Sequence, residues 1–137
     1  MKGDRATILM HKDGKILMIQ RLRNGNEYYV LPGGKIEEGE SAEEAATREL
    51  TEETTIIGTL VKKLTDFPDE DDRIHYIYLF DYVSGTPKLA PGSPEITETS
   101  KDNIYTPLWV DLTEVEHLRI WPDKTKPFLL DYFAKKN

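Results

Sequence analysis

The sequence predicts an α/β (α+β) protein in which a mixed β-sheet carries helices on both faces. Three observations point there. Two Asx-Gly turns sit between strand-like apolar runs near the start, a capped helix follows them, and further strands lead to a closing amphipathic helix. The apolar residues run from end to end with no repeat or low-complexity tract, so residues 1–137 read as one domain.

The elements follow in order. Asp13-Gly14 lies between Ile8-Leu9-Met10 and Ile16-Leu17-Met18-Ile19, and Asn24-Gly25 precedes Tyr28-Tyr29-Val30-Leu31. Asp-Gly and Asn-Gly supply the positive φ of a tight hairpin. Pro32-Gly33-Gly34 then breaks regular structure. Ser41 with Glu44 forms a capping box, which starts a helix running to about Thr54, with Ala42, Ala45, Ala46 and Leu50 on its apolar side. Leu60 to Leu64 reads as a strand. Ile74 to Val83 reads as a longer one, with Tyr76, Tyr78, Phe80 and Tyr82 on one face and His75, Ile77 and Leu79 on the other, so both sides are covered. Residues 84–103 form a long loop and Leu108-Trp109-Val110 a short strand. Thr113 with Glu116 caps a short helix, and Pro127 opens the last one, which carries Phe128, Leu129, Tyr132 and Phe133.

Composition narrows the function. The 137 residues include 18 basic and 25 acidic side chains, a net charge of -7, and no cysteine. Disulfides, thiolate catalysis and sulfur-ligated zinc are excluded. A sequence pI near 5.0 argues against gripping a nucleic-acid duplex, which needs a basic footprint. No apolar run is long enough to span a membrane and no secretory leader is visible, so a cytoplasmic location is expected. A small charged ligand bridged by a divalent ion stays open. The oligomeric state is not set by the sequence; a homodimer is compatible with it.

The chemistry concentrates in Gly33 to Ile56, GGKIEEGESAEEAATRELTEETTI. Glu49, Glu52 and Glu53 have the spacing of one helical face. Ala42, Ala45 and Ala46 lie on that same side, whereas Glu44, Thr47 and Thr51 face away. A solvated acidic helix would place its acids opposite the alanines. Here they continue the apolar stripe inward. Clustered like charges are unfavourable unless a cation offsets them, and Arg48 alone cannot neutralise three. Carboxylates are the ligands that Mg²⁺ and Mn²⁺ prefer. Gly33-Gly34 lets the backbone approach a ligand, and a bare carbonyl there could add a metal ligand.

The same segment resembles the signature of the Nudix hydrolase family, G-x5-E-x7-R-E-U-x-E-E-x-G-U, where U is aliphatic. Gly34, Glu40, Arg48-Glu49-Leu50, Glu52-Glu53 and Ile56 stand at the specified positions, and Thr55 stands where the family has glycine. The signature covers about a sixth of the chain. The resemblance implies an α/β/α sandwich with the box as loop–helix–loop, and hydrolysis of a nucleoside diphosphate linked to another group. It implies Glu49, Glu52 and Glu53 as metal ligands with the Gly33 carbonyl, and Mg²⁺ (or Mn²⁺) as the ion. Arg48 would orient the glutamates, Glu40 would hold the loop or reach Arg48, and Leu50 and Ile56 would be core. Water would attack phosphorus in line, and a carboxylate would take its proton. That base lies in the box or on the later loop, where Glu95 is preferred over Glu98 because Pro94 stiffens the chain before it.

Other residues weigh less. Asp66 to Asp72 reads as a solvated turn. His11, His75 and His117 lack partners at ligand spacing. Tyr28 and Tyr29 could stack on a base but read more readily as core, Trp109 and Trp121 read as packing, and Arg21, Arg23 and Lys35 as salt-bridging as much as phosphate-binding. Two further functions compete with the enzyme: a non-enzymatic nucleotide-sensing module on the same fold, and an interaction domain with an incidental acidic helix. The complete glutamate set and its inward placement favour the enzyme. Specificity among small nucleotide substrates is not legible.

Residues 84–103 and Thr55 carry the open structural questions. A glycine after the helix would take left-handed angles freely, whereas a β-branched residue there would be strained. With Gly58 close by to absorb a turn, Thr55 is expected to have ordinary angles.

Overall fold

A computed structural model describes residues 3–91 and 102–135. Strand β1 (Arg5–Leu9) leads through β2 (His11–Lys12) into β3 (Lys15–Arg23), β4 (Asn26–Val30) and β5 (Gly33–Lys35). Helix α1 (Ala42–Thr54) follows, then the long antiparallel pair β6 (Ile57–Pro68) and β7 (Ile74–Ser84). Strand β8 (Asn103–Asp111), a 3-10 helix at Leu112–His117 and helix α2 (Thr125–Ala134) complete the described chain.

The strands form two sheets. One is mixed, in the order β5-β1-β7-β6, with β1 parallel to β7. The other is antiparallel, with β3 between β4 and β8 and β2 paired to the start of β3. Alternation along β1 splits its side chains between two cores. Ala6, Ile8 and Met10 face α1 together with Tyr78 and Phe80, while Leu9 joins Ile77, Met18, Val110 and Leu129 on the other side. Each face of the mixed sheet is thereby covered, by α1 on one side and by the second sheet, the 3-10 helix and α2 on the other.

Both hairpins form at the Asx-Gly turns, with Asp13, Gly14, Asn24 and Gly25 all at positive φ. The capping box forms in full: Ser41 Oγ accepts from Glu44 N–H and Glu44 accepts from Ser41 N–H. Ala45, Ala46 and Leu50 are buried, and Glu44, Thr47 and Thr51 are exposed.

Several expectations are corrected. Gly33–Lys35 is a strand, because β1 supplies a partner for its backbone. Strands β6 and β8 extend well beyond Leu60–Leu64 and Leu108–Val110, since β7 and β3 pair along their length. Asp111 caps the 3-10 helix in place of Thr113, accepting from Thr113 N–H, and Pro127 is the third residue of α2. Thr55 closes α1 at φ 58°, ψ 6°, in the left-handed region, where its N–H reaches Thr51 O. Part of the 84–103 segment caps α1 further: Ala90 N–H donates to Glu52 O and Lys88 N–H to Thr54 O. These bonds satisfy carbonyls that a helix end leaves open. Glu95 and Glu98 lie outside the described residues.

Candidate active site

The site starts from the pairing of β5 with β1. Thr7 opposite Gly33 and Ala6 opposite Gly34 bring the two glycines against the first turns of the mixed sheet. A Cβ on Gly33 would collide with Ala6 O and Thr7 Cα. A Cβ on Gly34 would overlap the Glu49 carboxylate, far inside contact distance. Glycine here admits a carboxylate where any side chain would stand.

Helix α1 presents the acids to this strand. Glu49 and Glu53 are buried, at 5% and 6% exposure, and Glu52 is partly exposed. Gly33 N–H donates to Glu53 Oε1 at 2.7 Å. Arg48 organises the remainder. Its Nε and Nη2 grip both oxygens of Glu40 at 2.7 and 2.9 Å, and Nη1 reaches Glu49 Oε1 at 3.2 Å and Glu52 Oε2 at 3.1 Å. Nη2 also donates to Lys35 O at 3.1 Å, tying helix to strand. The two bonds from Arg48, and then the N–H of Glu37, hold the Glu40 carboxyl down at about 2. Glu40 in turn, ahead of the charges of Glu49 and Glu52, raises the affinity of Arg48 for its proton.

Among the described residues, no three acids converge on one point as a preformed metal cage. Arg48 stands between Glu49 and Glu52, and Gly33 holds Glu53. The donor chemistry nonetheless fits a hard divalent ion. A carboxylate has about four acceptor positions, so Arg48 and a hard ion can share one. The Gly33 carbonyl, approached by Arg5 Nη2 at 3.5 Å, lies beside them.

These residues form one end of a cleft of about 1160 Å³. Its other walls come from the antiparallel sheet, from β7 and from the chain after the 3-10 helix. Arg73 and His75 line this wall, and sequence reasoning missed the acid that holds them from behind. Asp69, expected in a solvated turn, has a fully buried side chain that accepts from Asp71 and Arg73 N–H, Arg73 Nε and His75 Nε2. Burial raises the Asp69 pKa, yet those bonds outweigh it and leave the carboxyl well below its usual range. Burial lowers the pKa of His75, against the pull of Asp69. Sixfold spacing between an acid and a histidine across a turn is no motif, so nothing in the sequence flagged the pair. Tyr28 and Trp121, read as core and packing, also line the cleft. No helix among the described residues is long and apolar enough to cross a membrane.

An acid-bearing helix is thus docked on a glycine strand at the edge of a mixed sheet, with a second sheet and α2 covering the opposite face. The NUDIX domain model matches residues 1–132, and the chain belongs to the Nudix family. An RNA pyrophosphohydrolase of Sphingopyxis alaskensis is 50% identical over 132 residues, covering 82% of this chain and 79% of that protein. An ADP-ribose pyrophosphatase of Methanocaldococcus jannaschii is 38% identical over 93 residues, covering 64% of this chain. The match spans only 55% of the length of that archaeal relative. In structure, MutT described for Aliivibrio salmonicida and Vibrio cholerae superposes with a TM-score of 0.71 at 21% identity, covering 97% of both chains. A Nudix-family hydrolase from Clostridium perfringens gives 0.70 at 16% identity over 96% of this chain and 95% of that one. At those identities the likeness is one of fold.

Proposed function

We propose that the chain is a divalent-cation-dependent pyrophosphohydrolase acting on a nucleoside triphosphate or a nucleoside diphosphate linked to another group. The observation that supports this most is the set of acids around Arg48, packed against Gly33 and Gly34 at the end of a cleft large enough for a nucleotide. Relatives named for pyrophosphate hydrolysis support the same reading.

Glu49, Glu52, Glu53 and the Gly33 carbonyl would hold the ion, Mg²⁺ with Mn²⁺ as the alternative. When bound, such an ion neutralises phosphate charge and makes water more acidic. The residues of the chain supply position and proton transfer. Arg48 aims Glu49 and Glu52 through its Nη1, and Glu40 fixes Arg48. Water forms a new P–O bond as the bridging P–O bond breaks, and the leaving phosphate takes the bridging oxygen. A carboxylate accepts the proton of the attacking water, from Glu53 in the box or from Glu95 on the loop. Hydrolysis of a nucleotide panel with Mg²⁺ or Mn²⁺, with products identified by mass, tests the reading. Turnover confined to pyrophosphate-containing nucleotides and lost on chelation is expected. Undiminished turnover after exhaustive chelation refutes the metal, and inertness towards every pyrophosphate refutes the enzyme.

A further inference from the structure

The acidic run Asp66 to Asp72 contains a buried carboxylate that the hydrolysis chemistry does not use. The two oxygens of Asp69 do different things. Oδ1 accepts from Asp71 N–H at 2.8 Å and from Arg73 N–H at 3.1 Å, so it builds the turn between β6 and β7. Backbone bonds from Asp69 N–H to Arg73 O and from Asp72 N–H to Asp69 O close the same turn. Oδ2 meets Arg73 Nε and His75 Nε2, each at 2.9 Å. The turn needs only the first oxygen. The second one aims two side chains.

Both of those side chains converge on one indole. The Arg73 guanidinium lies over the Trp121 ring, 5.6 Å from its centre and within cation–π range. The His75 ring meets Trp121 edge-on, with 5.6 Å between centres and 75° between planes, and Phe67 stacks on His75 at 6.0 Å and 21°. Glu70, in the same turn, accepts from Trp121 Nε1 at 2.9 Å, and Trp121 N–H donates to Tyr29 O at 3.0 Å. The indole therefore has its polar atom satisfied, its backbone pinned and two neighbours that fix its plane. Trp121 stays half-buried and lines the cleft with Arg73 and His75. Asp69 has no exposed side-chain surface and does not reach the cleft.

Arg73 depends on this carboxylate. Its Nη2 stands 3.8 Å from Asp71 Oδ2, beyond hydrogen-bond reach, and among the described residues its Nε–Asp69 bond is the one side-chain hydrogen bond it makes. A flat aromatic wall already fixed in the free protein spares the ordering cost that binding otherwise carries. We propose that Asp69 is a positioning residue for ligand binding: through Arg73 and His75 it sets the plane of Trp121, which is thereby preformed as a wall for a planar ring of the bound nucleotide. That the ligand is a nucleotide rests on the pyrophosphohydrolase reading; that Asp69 controls Trp121 does not.

Asp69→Asn isolates the second oxygen. Asparagine keeps a carbonyl oxygen for the turn but sets an amide NH₂ where Arg73 Nε has to donate. His75 can take the tautomer that accepts from that amide, so the Arg73 anchor alone is lost. Trp109, outside the cleft, is replaced by Phe, which leaves Trp121 as the sole tryptophan and its emission as the reporter. In this background AMP, GMP, CMP and UMP, which hold no pyrophosphate to hydrolyse, are titrated with Mg²⁺ present. At least one is expected to quench Trp121. Asp69→Asn should weaken its binding roughly five- to tenfold and move Trp121 emission to longer wavelength, with an unchanged circular dichroism spectrum. Arg73→Gln should do the same, and the double variant should lose no more than either single one, because residues acting through one contact are not additive. If Asp69→Asn does not fold, Arg73→Gln decides by the same two readouts. Unaltered emission and affinity in a folded variant overturn the proposal, as do losses that multiply in the double variant, the outcome of a merely structural turn. Absence of quenching by all four nucleotides removes Trp121 as a ligand wall. A nucleotide panel without hydrolysis, alongside these shifts, counts against the enzyme reading alone.

Discussion

Thr55 closes α1 in left-handed geometry, and substituting it measures the strain stored there. The left-handed region costs a residue with a Cβ roughly 1–2 kcal/mol. Threonine recovers part of this, because its Oγ1 donates to Thr86 O at 2.9 Å, a bond worth about 1 kcal/mol net. Thr55→Ala keeps the Cβ and loses that bond, so it should destabilise the protein by about 1 kcal/mol. Thr55→Gly loses the same bond but relieves the strain, while the freer unfolded chain costs about 0.5–1 kcal/mol. The glycine variant should therefore exceed the alanine variant by about 0.5–1 kcal/mol, or roughly 2–4 °C in Tm. Thermal and urea unfolding followed by circular dichroism give both numbers. A glycine variant no more stable than the alanine variant would refute the strain. Because Thr55 contributes no carboxylate, hydrolysis should persist in both.

Further predictions test the site. Glu53→Gln keeps the shape and the acceptor for Gly33 N–H but loses the charge, so kcat should fall by roughly 10²- to 10⁴-fold in a folded protein; wild-type turnover would remove Glu53 from the chemistry. Glu95→Gln measured beside Glu98→Gln locates the base: a sharp loss in one alone puts it on the loop, and near-normal rates in both put it in the box. Gly34→Ala forces a Cβ into the Glu49 carboxylate, so a loss of about 1–3 kcal/mol in stability is expected, together with loss of activity, and a normal variant would contradict the packing. Glu40 is depressed from 4.5 to about 2 by Arg48. A carboxyl lowered on folding stabilises above its unfolded pKa and loses that contribution as pH falls towards the folded value. The Tm gap between wild type and Glu40→Gln should therefore close between about pH 4.5 and pH 2, and a gap constant over that range would sink the assignment.

Much of the site was legible because its determinants are local. The turn chemistry of Asp13-Gly14 and Asn24-Gly25, the Ser41–Glu44 box and the inward run of Glu49 and Glu53 each depend on neighbours a few residues apart. Such interactions read directly from spacing. The strand errors fell where a distant partner decides the outcome, whereas the cap at Asp111 and the left-handed Thr55 were local misreadings. Gly33–Lys35 became a strand because β1 offered free backbone groups, and β6 and β8 lengthened because long partners lay beside them.

By itself, then, the sequence determined the helix, its cap, the face that carries the acids and the glycines that admit them, since helical periodicity and backbone sterics act over one or two turns. Only the tertiary structure decided that the strands divide into two sheets, that buried Asp69 meets His75 behind the cleft wall, and that Arg21, Tyr28, Tyr105 and Arg119 share one row. Those residues come from segments far apart along the chain. Their proximity depends on which strands pair and in what register, and that choice is settled by burial of the whole apolar surface at once, not by any local pattern.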